Sequence, residues 1–228
     1  MTPPEFDRLL KDAADSQPGP DPGLVEKIER GILPDIRPSR RMISAGVLSV
    51  ILVLGSTALA LAASTLLGQA GLHLLSAFQG TLIFGTLGVL LWLASRSLFA
   101  EMVPASAKLT SPARLAAWSA LALAALFLEL FPDRSRDDFV HRGANCLGIG
   151  LIVAVVAGAL AALWLRRGLV LDAARAGAAA GLVGALAGIL TLQLHCPYQQ
   201  PPHLLWHVMV IPVAAAAAAW IGGIRSRS

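Results

Sequence analysis

The chain has 228 residues, of which 56% are hydrophobic and only 14% are charged. With a mean hydropathy of +0.68, it has too little polar surface to cover a soluble globule of this length. The composition therefore predicts an integral membrane protein. The formal net charge of +4 does not indicate nucleic-acid binding, because the excess arginines lie beside the apolar segments, where they set membrane topology.

The first 41 residues are polar and interrupted by prolines, and we expect them to form a tail. Two short amphipathic helices are predicted in it, at about residues 3–14 and 22–32, with Asp21 as the N-cap of the second. Both are short for helices that stand alone, so a partner surface or the membrane should complete them. The apolar residues predicted to bind the partner are Phe6, Leu9, Leu10, Leu24, Val25, Ile28 and Ile32.

Six long apolar segments follow the tail. A helix needs about 20 apolar residues to cross a hydrocarbon core of about 30 Å, and these segments are continuously apolar rather than alternating as in a membrane barrel. We therefore predict an all-α integral membrane protein with six transmembrane helices. The segments lie at about residues 42–65, 72–95, 113–131, 144–165, 173–194 and 204–224.

The distribution of Lys and Arg predicts the orientation. If the tail is cytoplasmic, the only Lys or Arg residues on the outer face are Arg134, Arg136 and Arg142. This bias favours both termini inside, with residues 1–41 as a cytoplasmic tail, 42–224 as the transmembrane domain and 225–228 as a cytoplasmic end. Arginine pairs such as Arg166-Arg167 are interpreted as anchors that contact anionic membrane lipid.

The fifth segment carries Gly177, Gly181, Gly184 and Gly188 among alanines. Glycines four residues apart let helix backbones approach closely in lipid. We expect tight packing inside the chain's own bundle, with homodimerisation as the alternative.

In this topology all five histidines and both cysteines lie near the outer face. Cys146 and Cys196 lie at the outer ends of consecutive antiparallel helices, so we expect them to be neighbours. Three interpretations stay open: a static disulfide, a thiol pair that senses an oxidant or a thiophilic metal, and two unpaired interfacial cysteines.

Neighbouring imidazoles would complete a soft metal site with the two thiols. His195 is adjacent to Cys196, and His203 and His207 share a helical face if the sixth helix has begun by His203. The candidate ligands are therefore Cys146, Cys196, His195, His203 and His207. His73 and His141 are interpreted as interfacial residues.

The six-helix layout, the paired cysteines, and the run Leu194-His195-Cys196-Pro197 followed by Trp206 resemble the NrsF-type membrane anti-sigma factors, negative regulators of extracytoplasmic-function (ECF) sigma factors. The segment Asp35-Ile36-Arg37-Pro38 is also similar to the family's pre-membrane segment. The resemblance implies that the tail holds an ECF RNA polymerase sigma factor inactive at the bacterial inner membrane. A metal or redox change at the cysteines would then alter the packing of helices four to six and release it.

Two further hypotheses come from other functional classes. The first is a small metal-handling membrane protein or transporter, although no charged residue lies near the middle of an apolar segment. The second is a membrane oxidoreductase that uses the two cysteines as a dithiol. The sequence has no Cys-x-x-Cys, phosphate loop, His-Glu-x-x-His or serine elbow, so we predict no enzyme, and no cofactor other than a thiophilic metal ion at Cys146 and Cys196.

Overall fold

The computed structural model describes Asp12 and residues 44–103, 110–131, 139–165, 168, 170–198 and 200–225. The chain divides into two compact units, Met1–Arg41 and Met42–Ser228. Asp12 is the one described residue of the first unit, so the two predicted tail helices and the seven predicted partner-binding residues lie outside the described residues. Everything else described belongs to the second unit.

The described part of the second unit is entirely helical apart from its connections. Its six α-helices are long and apolar enough to cross a membrane, which confirms the predicted all-α, six-helix membrane architecture. In chain order the elements are α1 (Ala45–Leu67), a 3-10 turn (Leu72–Leu74), α2 (Ala77–Met102), α3 (Pro112–Leu130), α4 (Phe139–Leu165), α5 (Ala173–His195) and α6 (Pro201–Arg225).

Local polar and proline residues set helix starts that differ from the predicted ones. The second helix begins at Ala77 rather than at residue 72, because Ser76 and Gln79 form a reciprocal capping box. His73 therefore lies in the 3-10 turn before it. The sixth helix begins at Pro201, a residue type favoured in the first turn, rather than at residue 204. Its earlier start places His203 and His207 on one helix.

Helix α5 is the centre of the bundle. Its most apolar stretch is 89% buried, whereas those of the other five helices are 28–39% buried. Gly177 and Gly181 lie against backbone carbonyls of α6, and Gly184 and Gly188 lie against backbone carbonyls of α4. The expected packing of these glycines inside the chain's own bundle is therefore confirmed. Because they carry no side chain, α5 meets both neighbours backbone to backbone.

The two ends of the bundle differ in chemistry. We call the end that holds Cys146 and Cys196 the cysteine end. At the opposite end the buried carboxylate of Glu101 on α2 lies 3.7 Å from Nε of Arg175, in the first turn of α5. The Asp172 side chain accepts a hydrogen bond from the Arg175 backbone N–H and caps α5 at the same place. The start of α5 is thus fixed to α2, and its other end is at the thiols.

Candidate functional site

Cys146 and Cys196 meet at the cysteine end of the bundle. Cys146 lies in the second turn of α4, and Cys196 follows the last residue of α5, where its N–H donates to the Leu192 carbonyl at 2.8 Å. The two Sγ atoms are 3.0 Å apart, and both residues are free cysteines. Only 7% of Cys146 and 1% of Cys196 is exposed. The structure thus places the two thiols in direct contact, shielded from solvent.

The state of the Cys196 thiol follows from its neighbours. Its hydrogen bond with the Cys146 sulfur raises the pKa of Cys196 far above the usual thiol range, and burial raises it further. The backbone N–H of Tyr198 donates to the same sulfur and opposes this shift. Cys196 is therefore the protonated member of the pair at neutral pH.

His207 completes a three-residue donor group on α6. One ligand atom each from Cys146, Cys196 and His207 lies within 4.8 Å of the other two, and all three residues are buried. Nδ1 of His207 is 3.2 Å from Nε2 of Gln193, which lies on α5 three residues before Cys196. Two sulfurs and one imidazole nitrogen are ligands that zinc, cadmium and copper(I) accept.

The other candidate histidines have different neighbours. Nδ1 of His195 is 3.0 Å from the Gly68 carbonyl oxygen, in the connection from α1 to α2. His203 lies one turn before His207 and stacks on the Tyr198 ring, with centroids 5.4 Å apart. Neither belongs to the three-residue group found among the described residues. His73 and His141 are exposed at the cysteine end.

Aromatic and cationic side chains hold the turn after Cys196 against the helices. The Arg142 guanidinium lies 4.7 Å from the centre of the Tyr198 ring, a cation–π contact between α4 and the turn. The Trp206 indole lies directly on the backbone of Gly143, where any side chain would collide with it. These contacts join α4, the turn and α6 beside the thiols.

The α1–α2 connection, residues 68–76, packs against the end of α5. A Cβ atom at Gly71 would lie 2.6 Å from the Gln193 carbonyl oxygen and 2.7 Å from that of Cys196. At Gly71 the backbone of the connection therefore packs closely against the backbone of Gln193 and Cys196. With the contact from His195 to Gly68, it links the thiol site to the end of α1.

One family model matches the chain, the one described as "Negative regulator of sigma F" (NrsF), over residues 34–227. The chain belongs to the NrsF family. This match confirms the resemblance noted in the sequence, and it includes all six helices and every residue of the thiol site. No curated protein and no solved structure matches the chain.

Membership of the NrsF family identifies the chain as a negative regulator of a sigma factor, so a sigma factor is its partner. The family is one of regulators rather than enzymes, in agreement with the absence of enzyme motifs in the sequence.

Sequence reasoning missed four contributors to this NrsF site. Gln193 is the one amide in the second half of α5, and its position three residues before Cys196 could have identified it. Tyr198 and Trp206 fit the aromatic belt of a membrane interface from sequence alone, but Tyr198 stacks on His203 and Trp206 packs on α4. No sequence pattern identifies Gly71, because its role depends on the close approach of the backbone of α5, which is distant in sequence.

Proposed function

We propose that this chain is a membrane anti-sigma factor of the bacterial inner membrane. It holds an ECF sigma factor through its cytoplasmic tail, residues 1–41, and releases it when a periplasmic oxidant or thiophilic metal reacts with Cys146 and Cys196. The observation that carries the proposal is the contact between two buried thiols 3.0 Å apart, beside an imidazole, in a chain of the NrsF family.

The orientation in this proposal rests on charge. With the tail inside, only Arg134, Arg136 and Arg142 among the Lys and Arg residues belong to the outer side, as the positive-inside rule favours. The cysteine end then faces the periplasm, an oxidising compartment in which thiol pairs form disulfides. The opposite end, with Glu101 and Arg175, faces the cytoplasm, where the sigma factor is.

The donor group fits a thiophilic metal ion. Cys146, Cys196 and His207 would hold it, and a ring nitrogen, Nε2 of His207, is buried without a hydrogen-bond partner among the described residues. A bound soft metal ion would supply a positive centre that favours both thiolates. The three residues belong to α4, the end of α5, and α6, so ligation would hold these three helices in one arrangement.

The same pair is placed for oxidation. With a peroxide as oxidant, the two S–H bonds break and one S–S bond forms between Cys146 and Cys196. The two electrons and two protons pass to the peroxide. Hydrogen peroxide leaves as two molecules of water, and an alkyl hydroperoxide leaves as one alcohol and one water. The sulfurs must approach from 3.0 Å to about 2.05 Å, and in this proposal a shift of α4 relative to the end of α5 accompanies that approach.

The α1–α2 connection offers a route from the thiols toward the tail. Gly71 lies on the backbone of Gln193 and Cys196, and His195 contacts Gly68, so movement at the end of α5 displaces the connection. Helix α1 begins at Ala45, directly after the tail in sequence. A packing change among α4, α5 and α6 would thus reach the helix that carries the sigma-binding segment.

A capture experiment tests the proposal. The intact chain and a Cys146→Ser/Cys196→Ser double variant are purified from detergent-solubilised membranes, and the captured proteins are identified by mass spectrometry. We expect both to capture a sigma factor. Cadmium or diamide should release it from the intact chain and leave it on the double variant. If neither bait captures a sigma factor, the anti-sigma mechanism is wrong.

Tail variants locate the binding surface. Ile28→Asp places a charge on the predicted apolar stripe and should reduce capture at least tenfold, since a central apolar contact typically contributes about 2 kcal/mol or more. Lys27→Asp changes a neighbouring residue off that stripe and serves as the matched control. Equal capture by the two variants would contradict the predicted surface.

A further inference from the structure

Gln193 is the least expected buried group at the cysteine end. Its side chain is 0% exposed, on a helix whose other buried residues are apolar apart from Thr191. Burying an amide without hydrogen bonds costs about 1–3 kcal/mol. Its Nε2 contacts His207, and its Oε1 has no hydrogen-bond partner within the described part of the chain. A leucine would fill this position at lower cost if packing were its only role.

The contact with Gln193 determines which nitrogen of His207 carries the proton. A neutral imidazole has one N–H and one lone pair. When the amide NH₂ donates to Nδ1, the proton lies on Nε2. When the amide turns by 180°, Oε1 accepts from an Nδ1–H instead, and the lone pair lies on Nε2. The amide is one of the few side chains that can bond either tautomer.

Metal ligation requires the second arrangement. The ligand atoms of Cys146, Cys196 and His207 lie within 4.8 Å of one another. Ligands of one zinc ion lie about 3.5–4 Å apart, given bond lengths of about 2.0–2.3 Å, so the two sulfurs, now 3.0 Å apart, would separate slightly on ligation. The free nitrogen of His207 must then present a lone pair to the ion, with its other nitrogen donating to an acceptor.

We propose that Gln193 is a positioning residue that selects the metal-binding tautomer of His207. In the metal-free state its NH₂ group donates to Nδ1, and Nε2 carries the proton. On ligation its amide turns, Oε1 accepts from Nδ1–H, and Nε2 binds the ion beside the two sulfurs. This inference rests on the proposed metal response. It assigns to Gln193, which is not itself a ligand, the specificity for soft metal ions that bind a nitrogen ligand beside the two sulfurs.

Two substitutions separate positioning from packing. Gln193→Leu keeps the volume and removes the acceptor, and it should weaken cadmium binding about 10–100-fold, the usual effect of losing an outer partner of a metal-binding histidine. Gln193→Glu keeps an acceptor for Nδ1–H and should bind within a few-fold of the intact chain. Thr191→Val is the matched control, because Thr191 is equally buried on α5 but its hydroxyl donates to the Ala187 carbonyl.

The experiment uses the reduced, full-length protein in detergent with cadmium as the probe. Affinity is measured by competition with a chelator, through the sulfur-to-metal charge-transfer band, and X-ray absorption of the zinc form reports a nitrogen ligand at about 2.0–2.1 Å. Diamide cross-linking of Cys146 to Cys196, which needs no imidazole, checks that each variant keeps the site folded. We expect the nitrogen shell to disappear in Gln193→Leu and to persist in Gln193→Glu.

The outcomes distinguish this inference from the proposed function. If the intact chain and Thr191→Val bind cadmium and Gln193→Leu binds equally well with the same nitrogen shell, the role of Gln193 is wrong and the metal response stands. Equal weakening of the Leu and Glu variants would also overturn the acceptor role. If the intact chain binds no cadmium, the metal response itself fails, and the inference fails with it.

Discussion

Replacing Gly71 by alanine separates the thiol site from the α1–α2 connection without touching either cysteine. The added Cβ would lie 2.6 Å from the Gln193 carbonyl oxygen, 2.7 Å from the Cys196 carbonyl oxygen and 3.2 Å from the Cys196 nitrogen. All three are backbone atoms, so no side chain can rotate away. Ordinary contact begins at 3.4 Å, and the connection must therefore lift from α5 by up to about 0.8 Å.

The size of the effect follows from this overlap. Added volume in a close-packed site costs about 1–3 kcal/mol, and 1.4 kcal/mol corresponds to a tenfold change in an equilibrium constant. We expect the strain to move Cys196 away from Cys146, so that the diamide concentration giving half cross-linking rises about tenfold. Sigma-factor release should shift to the same higher concentration.

Both effects are measured on one sample, by maleimide gel shift for the thiols and by retention of the captured sigma factor. Gly80→Ala is the control at the same end of the bundle, because its Cβ would meet only the Phe84 ring, at 3.8 Å. If Gly71→Ala oxidises and releases at the same diamide concentration as Gly80→Ala and the intact chain, the connection does not transmit the signal.

Three other substitutions test the packing and the chemistry of the site. Gly181→Ala places a Cβ 2.6 Å from an α6 carbonyl oxygen and should lower the free energy of unfolding in detergent by about 1–3 kcal/mol, whereas Gly85→Ala meets nothing within 4 Å and should not. Tyr198→Ala removes a cation–π contact and a ring stack, which together contribute about 1–2 kcal/mol to holding the turn after Cys196 in place. Maleimide should therefore label Cys196 about tenfold faster, and an unchanged labelling rate would contradict this. Cys146→Ala removes the main cause of the raised pKa of Cys196, so alkylation of Cys196 should begin at lower pH than in the reduced intact chain, as measured by peptide mass spectrometry.

The membrane fold could be predicted from sequence because its signal is long and redundant. Each helix contains enough apolar residues to be identified by itself, so errors of a few residues in its predicted ends did not change the predicted number of helices. The helix starts were less predictable, because they depend on single capping residues. The second helix starts five residues later than predicted, at the capping box of Ser76 and Gln79, and the sixth starts three residues earlier than predicted, at Pro201.

The site was predictable only as far as chain topology determines it. Consecutive antiparallel helices bring Cys146 and Cys196 to the same end, and the structure places their sulfurs in contact. The choice among the histidines depends on helix rotation, which sequence spacing does not give. His195 is adjacent to Cys196, yet successive residues point about 100° apart on a helix, and its ring faces Gly68. His207 reaches the thiols from another helix.

Because the thiols lie at the end of α5, a small chemical change at them should have a large effect on helix packing. Glycine contacts pack α5 backbone to backbone on both α4 and α6, so it cannot slide on one neighbour and stay packed on the other. Movement at Cys196 should therefore shift these three helices between discrete arrangements rather than by degrees. In the proposed mechanism, the contacts of the α1–α2 connection with the end of α5 would carry that shift out of the core. Because α1 directly follows the tail in sequence, the proposed mechanism predicts that a discrete change at the thiols becomes a discrete change at the proposed sigma-binding tail.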